Sequence, residues 1–309
     1  MRILLVILFL ALSVNAQVFN NPDRFWLSAK WLDNGEILLT EGSYRGLFIY
    51  RNDGSLDTIT LDWKAGYRPQ ISNGFIAYTA YENFDGEGNV FVYDSHKKKN
   101  RSIYGDFNLG PPSFNKNGDL VFSDGQKIYT FSIHSELIEV FQGGAYLVVP
   151  IEGGFLWCDR AGVAWSMDTI NQQTQQIELG DESKFLFSPV VSKDGKFVLL
   201  EDISGVVFLY DVLSRISIKL PYGDKPFFTE KPSGIIQLQL KDDGEEIIQS
   251  NIIFVGIEDT TISQAIEIAA EYSEYIITDI DYNPKHGLLL TTSDGQFILD
   301  RDCIKEINK

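Results

Sequence analysis

This 309-residue chain is poor in sulfur and in histidine, with two Cys, two Met and three His. Two cysteines form no disulfide framework, but a chain of this length removes roughly 75% of its unfolded surface from water and needs none. Basic residues are also scarce, 26 Lys+Arg against 43 Asp+Glu, for a net charge of −17. Nucleic-acid binders gain affinity by neutralising phosphates, so a nucleic-acid partner is excluded. Sustained heptads are missing, which rules out a long coiled coil. With 21 Phe, 14 Tyr and 5 Trp the chain is not disordered. Neither a G-x-S-x-G elbow nor zinc-ligand spacing occurs around His96, His134, His286, Cys158 or Cys303. No catalytic residue, metal or cofactor is therefore expected.

Long apolar runs are absent after the first residues. Arg2, the run Ile3 to Leu12 and the small-residue pattern Val14-Asn15-Ala16 read as a signal peptide over residues 1–16, cleaved before Gln17. The run falls short of the roughly 20 residues that span a bilayer. Residues 17–309 are expected to form one exported domain, periplasmic or secreted, with no integral membrane segment.

What the chain has in abundance is self-similarity. Apolar runs end in small polar turns at Asp33-Asn34-Gly35, Ser72-Asn73-Gly74, Lys116-Asn117-Gly118, Glu152-Gly153-Gly154, Lys193-Asp194-Gly195, Pro232-Ser233-Gly234 and Lys285-His286-Gly287. The last glycines of these turns lie 39, 44, 36, 41, 39 and 53 residues apart. Such turns, read as two-residue hairpin connections, favour Gly because it takes positive φ without a Cβ clash. Each is followed by a second apolar run, a loop, and a continuous third run such as Leu47-Phe48-Ile49-Tyr50 or Val206-Val207-Phe208-Leu209-Tyr210. Uninterrupted runs of this kind suit strands covered on both faces. A weaker, alternating fourth run closes the unit, as in Asp57-Thr58-Ile59-Thr60-Leu61. Four strands per unit, repeated along the chain, predict an all-β fold, a β-propeller of seven four-stranded blades. Six blades remain open, because residues 226–275 place the third strand of blade six at either Ile247-Ile248 or Ile252-Ile253-Phe254-Val255. Cys158 and Cys303 fall in blades four and seven, too far apart to pair.

Ser188-Pro189-Val190-Val191-Ser192-Lys193-Asp194-Gly195 resembles the Ser-Pro-Asp-Gly phrase of TolB-type, WD-like propeller repeats. Tyr81 to Asp94 resembles the second half of that repeat, ending in the aromatic-Asp pair also seen at Tyr210-Asp211. TolB's preceding α/β domain has no counterpart here, so the resemblance is to the repeats and implies a platform for protein partners.

In a propeller, loops joining second to third strands and blade to blade share one face. On that face the sequence places Tyr44, Trp63, Tyr67, Tyr81, Phe84, Phe107, Tyr146, Tyr222, Phe227, Tyr272 and Tyr275, with Arg45 and Lys64 among them. The opposite loops are polar. Aromatics and Arg make binding hot spots. The chain is thus expected to be a non-catalytic scaffold holding a protein or peptide through Tyr44, Arg45, Trp63, Tyr67, Tyr81 and Phe84. About half of the aromatics on this face are expected to plug seams between blades, while Tyr44, Arg45, Tyr81 and Phe84 are expected to stand clear of the scaffold. The alternative is a carbohydrate- or lactone-active enzyme, which requires several carboxylates or histidines converging on the central channel, together with a metal. The loop holding Asp85, Glu87 and Asn89 has oxygen ligands at alternate positions, as a calcium loop does, and equally suits a plain turn.

Overall fold

A computed structural model describes residues 17–19, 23–82, 86–106, 108–179, 185–230, 233–245, 247–257, 260, 263–266 and 275–300. The expected leader, Phe84, Asp85, Phe107, Tyr272 and Cys303 lie outside these residues.

Seven antiparallel four-stranded sheets form the blades, each with its first strand innermost at the channel. Blade one comprises Trp26–Trp31, Ile37–Glu41, Leu47–Tyr50 and Leu56–Thr60. Blade two comprises Gln70–Ser72, Phe75–Tyr81, Gly88–Asp94 and Lys99–Asp106. Blade three comprises Ser113–Phe114, Leu120–Ser123, Lys127–Phe131 and Ile138–Gln142. Blade four comprises Val148–Ile151, Gly154–Cys158, Ala164–Asp168 and Thr174–Gln176. Blade five comprises Leu186–Val191, Phe197–Asp202, Val207–Asp211 and Ser217–Lys219. Blade six comprises Asp224–Glu230, Ser233–Asp242, Ile247–Gly256 and Ser263–Ile266.

Blade seven takes Ile277–Asn283, Gly287–Thr292 and Phe297–Asp300, and its outer strand is Gln17–Phe19 from the start of the described chain. Gln17, Val18 and Phe19 pair with Leu299, Ile298 and Phe297, so the ring is closed by strands from opposite ends of the sequence. The repeat pattern, searched within each unit, does not reveal this exchange.

Continuous apolar strands follow from the seams. Each of the seven apolar clusters bridges two adjacent blades. Successive side chains of a strand face opposite ways. Leu288 and Leu290 pack toward blade six while Leu289 packs toward blade one. Ile76 and Tyr78 meet blade one while Ala77 meets blade three. The ambiguity at blade six resolves into one ten-residue strand holding both expected segments. Its hairpin with Ser233–Asp242 extends the unit and accounts for the 53-residue spacing.

Among the described residues Asn73-Gly74 is a two-residue turn with both residues at positive φ (51° and 79°). Glu152-Gly153 is a two-residue connection between the paired Ile151 and Gly154, with Gly153 at φ 79°. At Gly195 the turn is longer: the Gly195 N–H donates to Ser192 O (2.9 Å), and Gly195 sits at φ +77°. Gly195 O accepts the Glu152 N–H of blade four at 2.8 Å, which ties blade four to blade five. Cys158 carries a free thiol. Burial, then the Asp159 charge, pushes it up to about 12, which makes it inert at neutral pH.

Gly195→Val forces a β-branched residue into the left-handed region, with its Cβ 2.9 Å from the Glu152 nitrogen. The expected loss is on the order of 1–3 kcal/mol in urea unfolding, and an unchanged midpoint contradicts this account of the turn.

Candidate active site at the channel mouth

The loop between blades one and two is held by backbone bonds. Trp63 exchanges hydrogen bonds with Tyr81, its N–H donating to Tyr81 O at 3.1 Å and accepting through its own O at 2.9 Å. Gly66 donates to Tyr44 O (3.1 Å) and Tyr67 to Lys64 O (2.8 Å), making a tight turn. Gly66 is required here, because a Cβ would lie 2.3 Å from the Thr40 methyl carbon. Tyr44, Lys64 and Arg68 all sit at positive φ, a backbone cost that marks sites where side chains are aimed.

These loops gather most of the aromatic and basic residues that the sequence places on this face. The Arg45 guanidinium lies 4.5 Å from the Trp63 ring centre, and Lys64 Nζ lies 4.5 Å from that of Tyr81. Arg68 lies 6.0 Å from the Tyr67 ring. Tyr67 meets Tyr44 edge-on at 5.3 Å and reaches Tyr146, from the loop between blades three and four, at 6.5 Å.

The expectation that Tyr81 stands clear of the scaffold with Tyr44 and Arg45 fails, and Tyr81 is one of the aromatics that plug seams. Its ring is 5% exposed and its hydroxyl donates to Leu109 O at 2.9 Å, a seam-packing role. The signal was available, since Tyr81 continues the apolar run Phe75–Tyr81. Trp63 and Tyr67 are half-buried, whereas Tyr44 is 42% exposed and Arg45 is exposed.

Blades five and six carry two carboxyl groups that the aromatic survey passed over, Glu201 and Asp224. Glu201, near the end of its strand, is pushed above the usual range by burial and then by the Asp224 charge, with Arg68 opposing. Asp224 is pushed up by burial, against the Leu240 N–H, the Tyr222 hydroxyl and Lys225. The Tyr222 hydroxyl lies 3.4 Å from Asp224 Oδ2. Arg68 also acts on Tyr146, whose hydroxyl is raised by burial and by Tyr81 and Tyr67. The Arg68 charge is thus felt both by Tyr146 of the aromatic loops and by Glu201. Turn aspartates behave otherwise: burial raises Asp124, but the Lys127 N–H, Tyr129 hydroxyl and Gln126 N–H outweigh it and hold the group below the usual range. Asp281 is also raised, to about 6, by burial, but it accepts the Trp31 N–H at 2.7 Å and so has a structural role between blades seven and one. Glu201 and Asp224 differ from it in lying at the loops of the aromatic face.

Inner strands of blades five, six, seven and one each shift register near their first residues, between Phe187 and Val190, Asp224 and Phe227, Ile277 and Asp279, and Trp26 and Ser28. Bulges re-aim side chains and accompany active sites. Lys225, at one of them with φ 48°, donates to Thr278 O of blade seven. All three histidines lie in turns of the opposite face, His286 stacked 5.0 Å from Trp31. Among the described residues no group of three or more His, Cys, Asp or Glu is placed to hold a metal. The candidate calcium loop falls partly outside those residues.

No protein-family model matches the sequence, and no curated protein is similar to it, so the TolB-type resemblance has no support beyond the repeats. The structure is similar to a streptogramin B lyase, with TM-score 0.61 and 12% identity, covering 93% of this chain and 97% of that one. It is similar to virginiamycin B lyase from Staphylococcus aureus, with TM-score 0.60 and 11% identity, covering 92% and 98%. A catalytically inactive His-to-Ala variant of that lyase with quinupristin matches at TM-score 0.58 and 10% identity, covering 92% and 97%. These are enzymes. At such identities the likeness is one of fold, a seven-bladed propeller that in those chains supports catalysis. The expectation of a non-catalytic chain is corrected accordingly. It rested on histidine-dependent nucleophiles and zinc, and neither criterion detects acid–base chemistry carried by carboxyl groups.

Tyr81→Ala is expected to lose about 3–5 kcal/mol in thermal or urea unfolding, and Tyr44→Ala to stay within about 0.5 kcal/mol. Equal losses contradict the assignment of one ring to the seam and the other to the surface.

Proposed function

We propose that the protein is an enzyme acting at the mouth of its channel on an oxygen-linked substrate, a carbohydrate or lactone, by carboxyl acid–base catalysis. The observation that carries this reading is that Glu201 and Asp224, at neighbouring loops of blades five and six on the aromatic face, are both raised by burial, with the Asp224 charge raising and the Arg68 charge lowering Glu201. The lyase neighbours support an elimination rather than a hydrolysis. The Asp224 charge raises Glu201, so Asp224 ionises first and Glu201 keeps its proton to higher pH. Asp224 is then the base and Glu201 the acid.

In the proposed step Asp224 takes a proton from the carbon beside a substrate carbonyl. The C–H electron pair becomes a new C=C bond, the C–O bond breaks, and the departing oxygen takes its proton from Glu201. Arg68 stabilises negative charge developing on the carbonyl oxygen. Both carboxyls regain their starting states by proton exchange with water. This mechanism uses no histidine.

Glu201→Gln and Asp224→Asn are each expected to lower turnover by about 10²–10⁴-fold, read as ultraviolet absorbance of the conjugated C=C product. The wild-type rate should fall below the Asp224 pKa, as the base protonates, and above that of Glu201, as the acid deprotonates. Stability should move the other way. A carboxyl raised on folding disfavours the native state once ionised, so Glu201→Gln should melt no lower than wild type at neutral pH. Full activity in either variant overturns the assignment.

Export is part of the same proposal, from the residue 1–16 leader. N-terminal sequencing of the released protein is expected to begin at Gln17, and a chain retaining Arg2 contradicts it.

A further inference from the structure

Arg45, Lys64 and Arg68 are the basic residues of two neighbouring loops. Several basic side chains elsewhere pair with carboxylates, Arg51 with Glu36 and Asp57, Lys116 with Glu152 and Lys193 with Glu230. These three instead lie over aromatic rings, with no carboxylate within 4.0 Å among the described residues. A ring face orients a cation and strips part of its water without neutralising it. Arg45 and Lys64 are exposed, and the tight Lys64–Tyr67 turn sets them on the same loops as Arg68. A chain of net charge −17 repels anions in general, yet Arg45 and Lys64 lie exposed on the loops of Arg68, whose charge reaches Glu201, without a carboxylate within 4.0 Å among the described residues.

We infer that Arg45 and Lys64 form an anion subsite and that the substrate is a carboxylate-bearing, uronic-acid-type oligosaccharide. This rests on the proposed elimination and narrows its substrate class. A carboxylate beside the reacting carbon resists proton loss because the product of that loss carries two negative charges. Cations that hold the carboxylate oxygens relieve that repulsion where it develops. Half-buried Trp63 and exposed Tyr44 offer ring faces to the apolar sides of neighbouring sugar rings. A lactone, neutral at the same position, uses neither Arg45 nor Lys64.

The test is calorimetric titration of the full chain with hexagalacturonate and with its fully methyl-esterified counterpart. Turnover is suppressed by using Glu201→Gln as the parent. The acid should bind at least about tenfold tighter than the ester, the value of one charge-assisted contact, and the preference should shrink with salt. Adding Arg45→Gln and Lys64→Gln should remove that preference and leave ester binding unchanged, with an unaltered melting curve. Equal binding of acid and ester, no binding of either, or an unchanged preference in the added variants overturns the inference. The proposed function is judged separately by turnover. Cleavage of neutral substrates without an acid preference sinks the anion subsite alone, whereas acid-selective binding without any turnover in wild type sinks the elimination alone.

Discussion

Everything in this molecule depends on closing the ring. A propeller blade is apolar on both faces, so an open end would leave one whole face in water. Closure is made by three residue pairs, Gln17 with Leu299, Val18 with Ile298 and Phe19 with Phe297, which join the two ends of the described chain. Behind them Leu289 and Phe297 pack against Trp26 and Phe48 across the last seam. With that seam made, each blade has two neighbours and the seven clusters become continuous around the channel.

A rigid ring is what allows costly local structure at its mouth. Positive φ at Tyr44, Lys64 and Arg68, bulges in four consecutive inner strands, and carboxyls raised by burial all cost folding free energy. The seams offset these costs with packed Leu, Ile, Val and aromatic side chains. The two sides of the mouth differ. Blades five and six bring the raised carboxyl groups, while the loops around blades one to four bring rings and cations. Arg68 acts on both.

Part of the aromatic face belongs to the scaffold. Tyr81 seals the seam toward Leu109, and it also serves as the platform under Lys64. Trp63 is bridged to Tyr81 through its backbone and carries Arg45 on its ring. The same rings that close seams thus orient charges above them, and for that reason function and packing are difficult to separate from residue type alone.

The sequence by itself determined the blades. Continuous apolar runs closed by an alternating fourth one, Asp-Gly and Asn-Gly turns and a recurrent spacing suffice because each blade is a local unit whose contacts lie near in the chain. It also placed Tyr44, Arg45, Trp63, Tyr67 and Tyr81 on one face, since loop position follows from strand order. Only the tertiary structure decided which blade Gln17–Phe19 completes, which rings are covered, and that the charges of Asp224 and Arg68 act on Glu201 although Arg68 is more than 100 residues away in the chain. Carboxyl groups abound in this chain, and nothing local distinguishes these two from the acidic residues that cap its turns. Burial raises both, and the Asp224 charge raises Glu201 further; these effects arise only when the ring has closed.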